Sequence, residues 1–311
     1  MKLPEKATKP TMYFIGVTTS KSSIMKIFPA WAKALGLGDV EIKGIDVEIH
    51  APPEKYRSIL RHIKDDPLSL GALVTTHKID MYNACADMFD YLDPYALSFG
   101  ELSSISKKGQ NILAHAKDPV TAGMAMDDFI PAFHWKGGGK QACILGAGGS
   151  ALAIAAYLAD EKWGDNVPSR INSTNRSANR LAESVKRLST IRVPISFHLC
   201  PSINLNDRIV RNMPEGSLVV NATGLGKDRP GSPLSDNCIF PKNALIWEIN
   251  YRGSLEFMHQ AIKQQKERNL IIEDGWNYFV YGWTEVIAEV FNIKISKSEM
   301  QKCKEIAVEY R

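Results

Sequence analysis

The stretch Gln141-Ala142-Cys143-Ile144-Leu145-Gly146-Ala147-Gly148-Gly149-Ser150-Ala151 decides how this 311-residue chain is read. Ala142 to Leu145 is short, apolar and followed by glycine, the pattern of a strand buried on both faces. Gly146 to Ala151 then matches G-x-G-x-x-A, the fingerprint of a dinucleotide-binding turn, between the strand and helix that it requires. Gly146 permits the tight turn, Gly148 lets the backbone approach a pyrophosphate, and small Ala151 lets the helix pack close to the strand. The turn, with Ala147, Gly149 and Ser150, offers phosphate the N–H groups and positive dipole end of a helix start. The run Ala142 to Ala159 is uncharged for 18 residues, close to the length of a membrane span. Its glycine cluster breaks that reading in favour of strand, turn and buried helix.

The end of the next strand selects the nucleotide. An NAD-type site carries Asp or Glu there for the ribose 2′-hydroxyl, but this chain reads Ser173-Thr174-Asn175-Arg176-Ser177. A guanidinium at that point suits a 2′-phosphate, so Asn175, Arg176 and Ser177, with Arg180 four residues on, predict NADP over NAD. The competing reading makes Arg176 a solvated surface residue.

Outward from this turn, strand-like and helix-like segments alternate. Before it come strands at Met12 to Val17, Glu41 to Ile49 and Gly71 to Thr76. Helices are expected over Ser22 to Leu35, from Pro52, and over Lys78 to Phe89; Tyr56, Leu60 and Ile63 share one face of the second. Glu101 to Ser106 and Asn111 to Ala116 flank the turn Lys107-Lys108-Gly109-Gln110, and a helix runs from Asp118 towards Ile130. Lys136-Gly137-Gly138-Gly139-Lys140 reads as a loop and the main break in composition. After the glycine turn come strands at Arg170 to Thr174, Val193 to Leu199, Leu218 to Asn221 and Ala244 to Ile249. A helix over Ser177 to Leu188 and two final ones, Asn277 to Phe291 and Ser298 to Val308, complete the pattern, with a capping box expected from Ser298 and Gln301. The alternation predicts an α/β fold of parallel sheets covered on both faces. Two domains are expected: an α/β domain over 1–120, with the helices of 276–311 packing back on it, and a Rossmann-type nucleotide domain over 121–275.

Composition excludes several classes. Apolar residues make up 44% and charged residues 23%, the mixture of an ordinary globular chain rather than a disordered or disulfide-framed one. A net charge of +4 over this length is a weak field and asks for neither nucleic acid nor an acidic membrane. The start, Met1-Lys2-Leu3-Pro4-Glu5-Lys6, lacks the apolar core of a signal peptide. Five scattered cysteines and a histidine set without H-E-x-x-H spacing predict a reducing cytoplasm and no metal. The expected partner is a small-molecule substrate, with a homodimer as the candidate assembly.

Taken together these segments resemble the shikimate dehydrogenase family over most of the chain. Gly146 to Ala151, with Asn175-Arg176-Ser177-Ala178-Asn179-Arg180, is similar to the family's glycine loop and its NADP-selecting N-R-[ST]-x-x-R segment. Val220-Asn221-Ala222-Thr223-Gly224-Leu225-Gly226 resembles its N-A-T-x-x-G element, which places Asn221, Thr223 and Gly226 near the nicotinamide. Ser20-Lys21-Ser22 resembles the S-x-S pair that holds a substrate carboxylate. Val74-Thr75-Thr76-His77-Lys78 resembles the V-T-x-P-x-K loop, one residue shorter and without the proline. Asp118 falls at the aspartate of N-T-D-G, and Asp274-Gly275 at the D-G that begins a returning helix. The resemblance implies an NADP-dependent oxidoreductase with Lys78 and Asp118 as the catalytic pair. It implies Ser20, Ser22, Thr75, Ser103 and Tyr251 as substrate contacts.

The departures all concern substrate recognition. Ser103 and Ala116 stand where the family has asparagines, and Gly282 where it has a glutamine. Each lost amide removes hydrogen bonds that a polyhydroxylated ring needs, and sites built for hydrogen bonds discriminate strongly. The expected substrate is therefore a small cyclic or sugar-derived hydroxy compound other than shikimate. A dehydrogenase of a non-carboxylate polyol or keto-sugar, and a non-catalytic nucleotide-binding regulator, are the alternatives. His77 and His115 read as local hydrogen-bonding residues, and the aromatic run Trp276 to Trp283 as packing more readily than substrate stacking.

Overall fold

The computed structural model describes residues 3–227 and 229–311. The chain forms two compact units, one of Met1–Lys117 with Val280–Arg311 and one of Asp118–Phe279.

The first unit opens with β1 (Thr11–Gly16), α1 (Ile24–Ala34), β2 (Glu41–Asp46), α2 (Pro53–Asp65), β3 (Ser69–Val74) and α3 (Lys78–Cys85). It continues through β4 (Tyr91–Leu92), α4 (Pro94–Phe99), β5 (Ser104–Lys108) and β6 (Asn111–His115). Its sheet runs β2-β1-β3-β5-β6-β4. β2, β1 and β3 are parallel, but β5 is antiparallel to both β3 and β6. The expected parallel pairing holds for β2, β1 and β3, while the turn expected at 107–110 joins an antiparallel pair. β5 and β6 are joined through Gly109 at φ +63, and so short a link can only return the chain antiparallel. β1 is buried along its whole length, and Tyr13, Ile15, Tyr56, Ile59, Leu60, Ile63 and Val74 form the core between sheet and helices.

Sequence reading leaves α4 out, although its signals are present. Asp93 accepts from the Ala96 N–H at 2.7 Å, Pro94 fills the first turn, and Gly100 ends the helix at φ +58. The Asp93 carboxylate also accepts from the Ala116 N–H at 3.1 Å, which ties the helix start to the end of β6.

The second unit contains α5 (Asp118–Asp127), β7 (Ala142–Leu145), α6 (Gly149–Leu158), β8 (Ile171–Asn175), α7 (Ala178–Arg187), β9 (Ile195–Leu199) and α8 (Ile203–Arg211). β10 (Leu218–Asn221), β11 (Leu245–Glu248), α9 (Glu256–Ile262), α10 (Gln265–Arg268) and β12 (Ile271–Glu273) follow. The sheet is parallel throughout, in the order β12-β11-β10-β7-β8-β9. In chain order this is the doubly wound arrangement whose direction reverses between β7 and β10, where such sheets bind their ligands. α6 buries seven of its ten residues, as the uncharged run requires, and no described helix is long and apolar enough to cross a membrane. α8, α9, α10 and β12 were not expected from sequence.

α11 (Trp276–Phe291) carries the chain from the second unit back to the first, and α12 (Lys297–Val308) ends it. Within the first unit the Trp31 indole N–H donates to the Cys303 carbonyl at 2.9 Å, and Phe14 meets Trp283 edge to face at 4.8 Å. The capping box of α12 is Ser296 with Glu299, not Ser298 with Gln301. Lys297 is already helical, so the cap falls one residue ahead of it, and Ser298 lies inside the first turn. Ser296→Ala should cost about 1 kcal/mol in urea unfolding, whereas Ser298→Ala should fall within about 0.5 kcal/mol of wild type. Equal losses from the two would contradict this cap.

Candidate functional site

In the second unit the glycine turn leaves β7 at the reversal point. Gly146 has φ +126, and a Cβ there would lie 2.6 Å from the Ala222 carbonyl oxygen. Only glycine fits both the dihedral and the approach of the β10 loop. Gly148 is the extended N-cap of α6, and a Cβ there would meet nothing within 4 Å. Open space thus stands beside the helix start, as an approaching pyrophosphate requires. Ala151 is buried, as close helix–strand packing demands. The Ser184 hydroxyl of α7 donates to the Ala147 carbonyl at 3.3 Å and braces the turn from outside.

At the end of β8 the Asn175 side-chain oxygen accepts from the Ser177 N–H at 2.9 Å, and Ser177 caps α7 by accepting from the Arg180 N–H. Arg176 between them is exposed. Arg180 is also exposed and sits 3.5 Å from Glu183, a surface ion pair worth little on its own. Residues 175–177 therefore make a short rigid corner that presents one guanidinium.

A buried network that sequence reading missed organises the loop after β10. Glu248, at the end of β11, is fully buried. One carboxylate oxygen accepts from the Asn221 amide at 2.7 Å, the other from the Asn250 side-chain amide at 2.7 Å and its backbone N–H at 3.0 Å. Asn221 in turn accepts from the Thr223 N–H at 3.0 Å and hydroxyl at 2.6 Å. Asn250 donates onward to the carbonyls of Thr223 and Leu225. Gly226, at φ +84, closes the loop with its N–H on the Arg229 carbonyl at 2.7 Å. Tyr251 follows this network, packed against Phe279 at 4.6 Å and Trp276 at 5.6 Å, with the Lys227 ammonium 5.5 Å from its ring.

In the first unit Ser20, Ser22, Thr75, Lys78 and Ser103 gather at one end of the sheet. Ser20 lies in a short 3-10 turn after β1, and Ser22 directly follows it. Thr19 pins the turn through its N–H and hydroxyl on Asp46, at 2.8 and 2.6 Å. Thr75 donates its N–H to the Ile15 carbonyl, and its methyl lies 3.1 Å from the Cβ position of Gly16. Lys78 begins α3, and its carbonyl accepts from the Leu102 N–H. Ser103 is buried, with its hydroxyl accepting from the Lys117 N–H at 2.8 Å and 3.5 Å from the His115 carbonyl. Asp118 is the first residue of α5 in the second unit, buried, with its carbonyl accepting from the Thr121 hydroxyl. His115 packs on Tyr91 and lies 3.6 Å from Glu289, which Lys117 also meets at 2.8 Å. All five cysteines are buried free thiols.

Two units, each a helix-covered α/β sheet, with a glycine-turn nucleotide site on the doubly wound one, define a dinucleotide-dependent oxidoreductase architecture. No family model matches the chain. It is 26% identical over 265 residues to the shikimate dehydrogenase (NADP(+)) of Bartonella tribocorum, covering 83% of this chain and 81% of that one. Its fold matches the shikimate 5-dehydrogenase of Listeria monocytogenes, solved with shikimate and NAD, at a TM-score of 0.72, 17% identity, and coverage of 98% and 99%. It also matches the quinate dehydrogenase of Corynebacterium glutamicum, solved with NAD, at a TM-score of 0.72, 15% identity, and coverage of 97% and 99%. In sequence and in fold the chain is thus similar to shikimate dehydrogenases.

Burial pushes the Glu248 carboxyl up to about 7, against the pull of its three hydrogen-bond donors. Because the folded value lies above the ordinary 4.5, the stabilisation is complete below pH 4.5 and is lost as pH rises through 7. Urea unfolding between pH 4.5 and 8 should show wild type losing about 3 kcal/mol relative to Glu248→Gln over that window. A pH-independent difference would exclude a titrating carboxyl at this position.

Proposed function

We propose that this protein is an NADP-dependent dehydrogenase acting on a secondary alcohol or ketone of a small cyclic or sugar-derived hydroxy compound other than shikimate. The observation that carries the reading is the glycine turn, with its left-handed Gly146 against Ala222 and open space at Gly148 before the start of α6. The match to an NADP-named relative over four fifths of both chains supports it. The turn residues Gly146 to Ser150 would hold the pyrophosphate, Asn175 to Ser177 with Arg180 the adenosine end, and Asn221, Thr223 and Gly226 the nicotinamide end. NADP held there supplies or receives the hydride.

The protein's own part is to position the alcohol and manage its proton. Lys78 gives or takes the hydroxyl proton, and Asp118 fixes that hydroxyl. Ser20, Ser22 and Thr75 offer hydroxyls to the substrate's polar groups, and Tyr251 offers an aromatic face. The Ser103 hydroxyl is already occupied by the backbone of residues 115–117, so it replaces the family's asparagine in position but not in chemistry. Ala116 offers no side-chain donor, and a side chain at Gly282 would meet open space. With these amides missing, shikimate has fewer partners for its hydroxyls.

Steady-state NADP reduction across cyclitols, hydroxy acids and sugar acids tests this reading. Another polyol should be preferred to shikimate, and Lys78→Ala and Asp118→Asn should each lower kcat by about 10²-fold or more. Shikimate as the best substrate would refute the specificity. No turnover of any member, with tight NADP binding, would favour a non-catalytic nucleotide-binding protein.

The cofactor is tested separately by titrating both nucleotides. NADP should bind more tightly than NAD, and Arg176→Ala should weaken NADP about ten- to a hundredfold, with NAD hardly altered. Equal wild-type affinities would exclude the role given to Arg176.

A further inference from the structure

We propose that His77 is the positioning residue for Lys78, and that it acts by holding a strained three-residue turn at Thr76. This deepens the reading of Lys78 as the proton-handling group and rests on it. The backbone between β3 and α3 carries two unusual features. Thr76, a β-branched residue, has φ +62, and the His77 N–H donates to the Thr75 carbonyl at 2.6 Å. Together they make a γ-turn of the positive-φ kind, which is rare and strained. A γ-turn closes on three residues where a β-turn takes four, so it suits a loop one residue shorter than the V-T-x-P-x-K pattern. α3 then starts at Lys78.

Strain of this kind persists only where the surroundings over-determine it. His77 supplies that constraint. It is 1% exposed, its Nε2 lies 3.1 Å from the Val47 carbonyl, and its Nδ1 lies 3.1 Å from the Tyr56 hydroxyl. A carbonyl can only accept, so Nε2 carries the proton and Nδ1 accepts from Tyr56. Burial holds the imidazole below its ordinary pKa, which keeps it neutral in this arrangement. The Tyr56 hydroxyl is also 3.4 Å from Asp80 in the first turn of α3, and the Met81 N–H donates to the His77 carbonyl. One buried ring thus joins the end of β2, the face of α2 and the first turn of the lysine-bearing helix.

The test combines kinetics with a readout that needs no turnover. His77→Leu removes both side-chain bonds, Tyr56→Phe removes only that to Nδ1, and His77→Gln can keep the donor to Val47. kcat should fall at least about tenfold in His77→Leu with NADP affinity unchanged, less in Tyr56→Phe, and recover to within about threefold of wild type in His77→Gln. In parallel, reductive ¹³C-methylation of the lysines, with Lys78 assigned by Lys78→Arg, reports the Lys78 environment by NMR. Its resonance should move in His77→Leu and Tyr56→Phe and return towards wild type in His77→Gln. If His77→Leu does not fold, Tyr56→Phe carries both measurements. An unmoved Lys78 resonance in folded variants would overturn the proposal. A moving resonance in a protein that turns over no substrate would keep His77 as the positioning residue and overturn the dehydrogenase reading instead.

Discussion

The Ala222 carbonyl lies where any side chain on residue 146 would have to go. That one close approach joins the turn after β7 to the loop after β10, the two strands between which the sheet reverses direction. It forces glycine at 146, holds the turn in the left-handed region, and lets α6 begin three residues later with its N-terminus at the sheet edge. The β10 side needs equal rigidity, because a loop that drifted would release the contact. Glu248 supplies it from beneath: its carboxylate holds Asn221 and Asn250, and these hold Thr223 and Leu225. A buried carboxyl left with no donors would cost several kcal/mol, so the network and the loop stand or fall together.

The doubly wound sheet was legible because its strands are short, fully apolar and punctuated by glycine. The parallel pairing of β7, β8 and β10 follows from burial on both faces. The first sheet was less legible, since pairing direction depends on how the chain returns, and a two-residue link reverses what strand composition suggests. α4 escaped because it is a single amphipathic turn and a half, too short for a periodicity to show, although Asp93, Pro94 and Gly100 mark both of its ends. α8, α9 and α10 sit in polar sequence where hydrophobic spacing is weak. The cap of α12 was misplaced by two residues because Ser296 and Ser298 are both good caps, and only the chain's entry angle separates them.

The candidate sites divide along the same line. The turn at Gly146 and Gly148 and the capped corner at 175–177 were legible because they depend on backbone shape at fixed offsets from one strand. The Glu248 network was not: its members lie far apart in sequence, and Asn221 looks the same whether it binds a ligand or a buried carboxylate. Ser103 is a different case. Its position matched a substrate asparagine, but a serine hydroxyl is short, and here it turns back to its own strand's neighbours at Lys117 and His115.

That difference in reach explains why the nucleotide end of the chain can stay close to a family pattern while the substrate end departs from it. A pyrophosphate is read largely by backbone N–H groups and a helix dipole, which survive most substitutions so long as the glycines remain. A polyol is read by side-chain amides, each placed at the end of two or more rotatable bonds. Replacing asparagine by serine or alanine, or glutamine by glycine, withdraws donors and acceptors by several ångströms. The space left must be filled by a larger ligand, a less hydroxylated one, or water. A Cβ at Gly282 would meet nothing within 4 Å, and Tyr251 is half-buried beside Phe279. A chain can thus keep the glycine turn of a dinucleotide fold while its side-chain amides change.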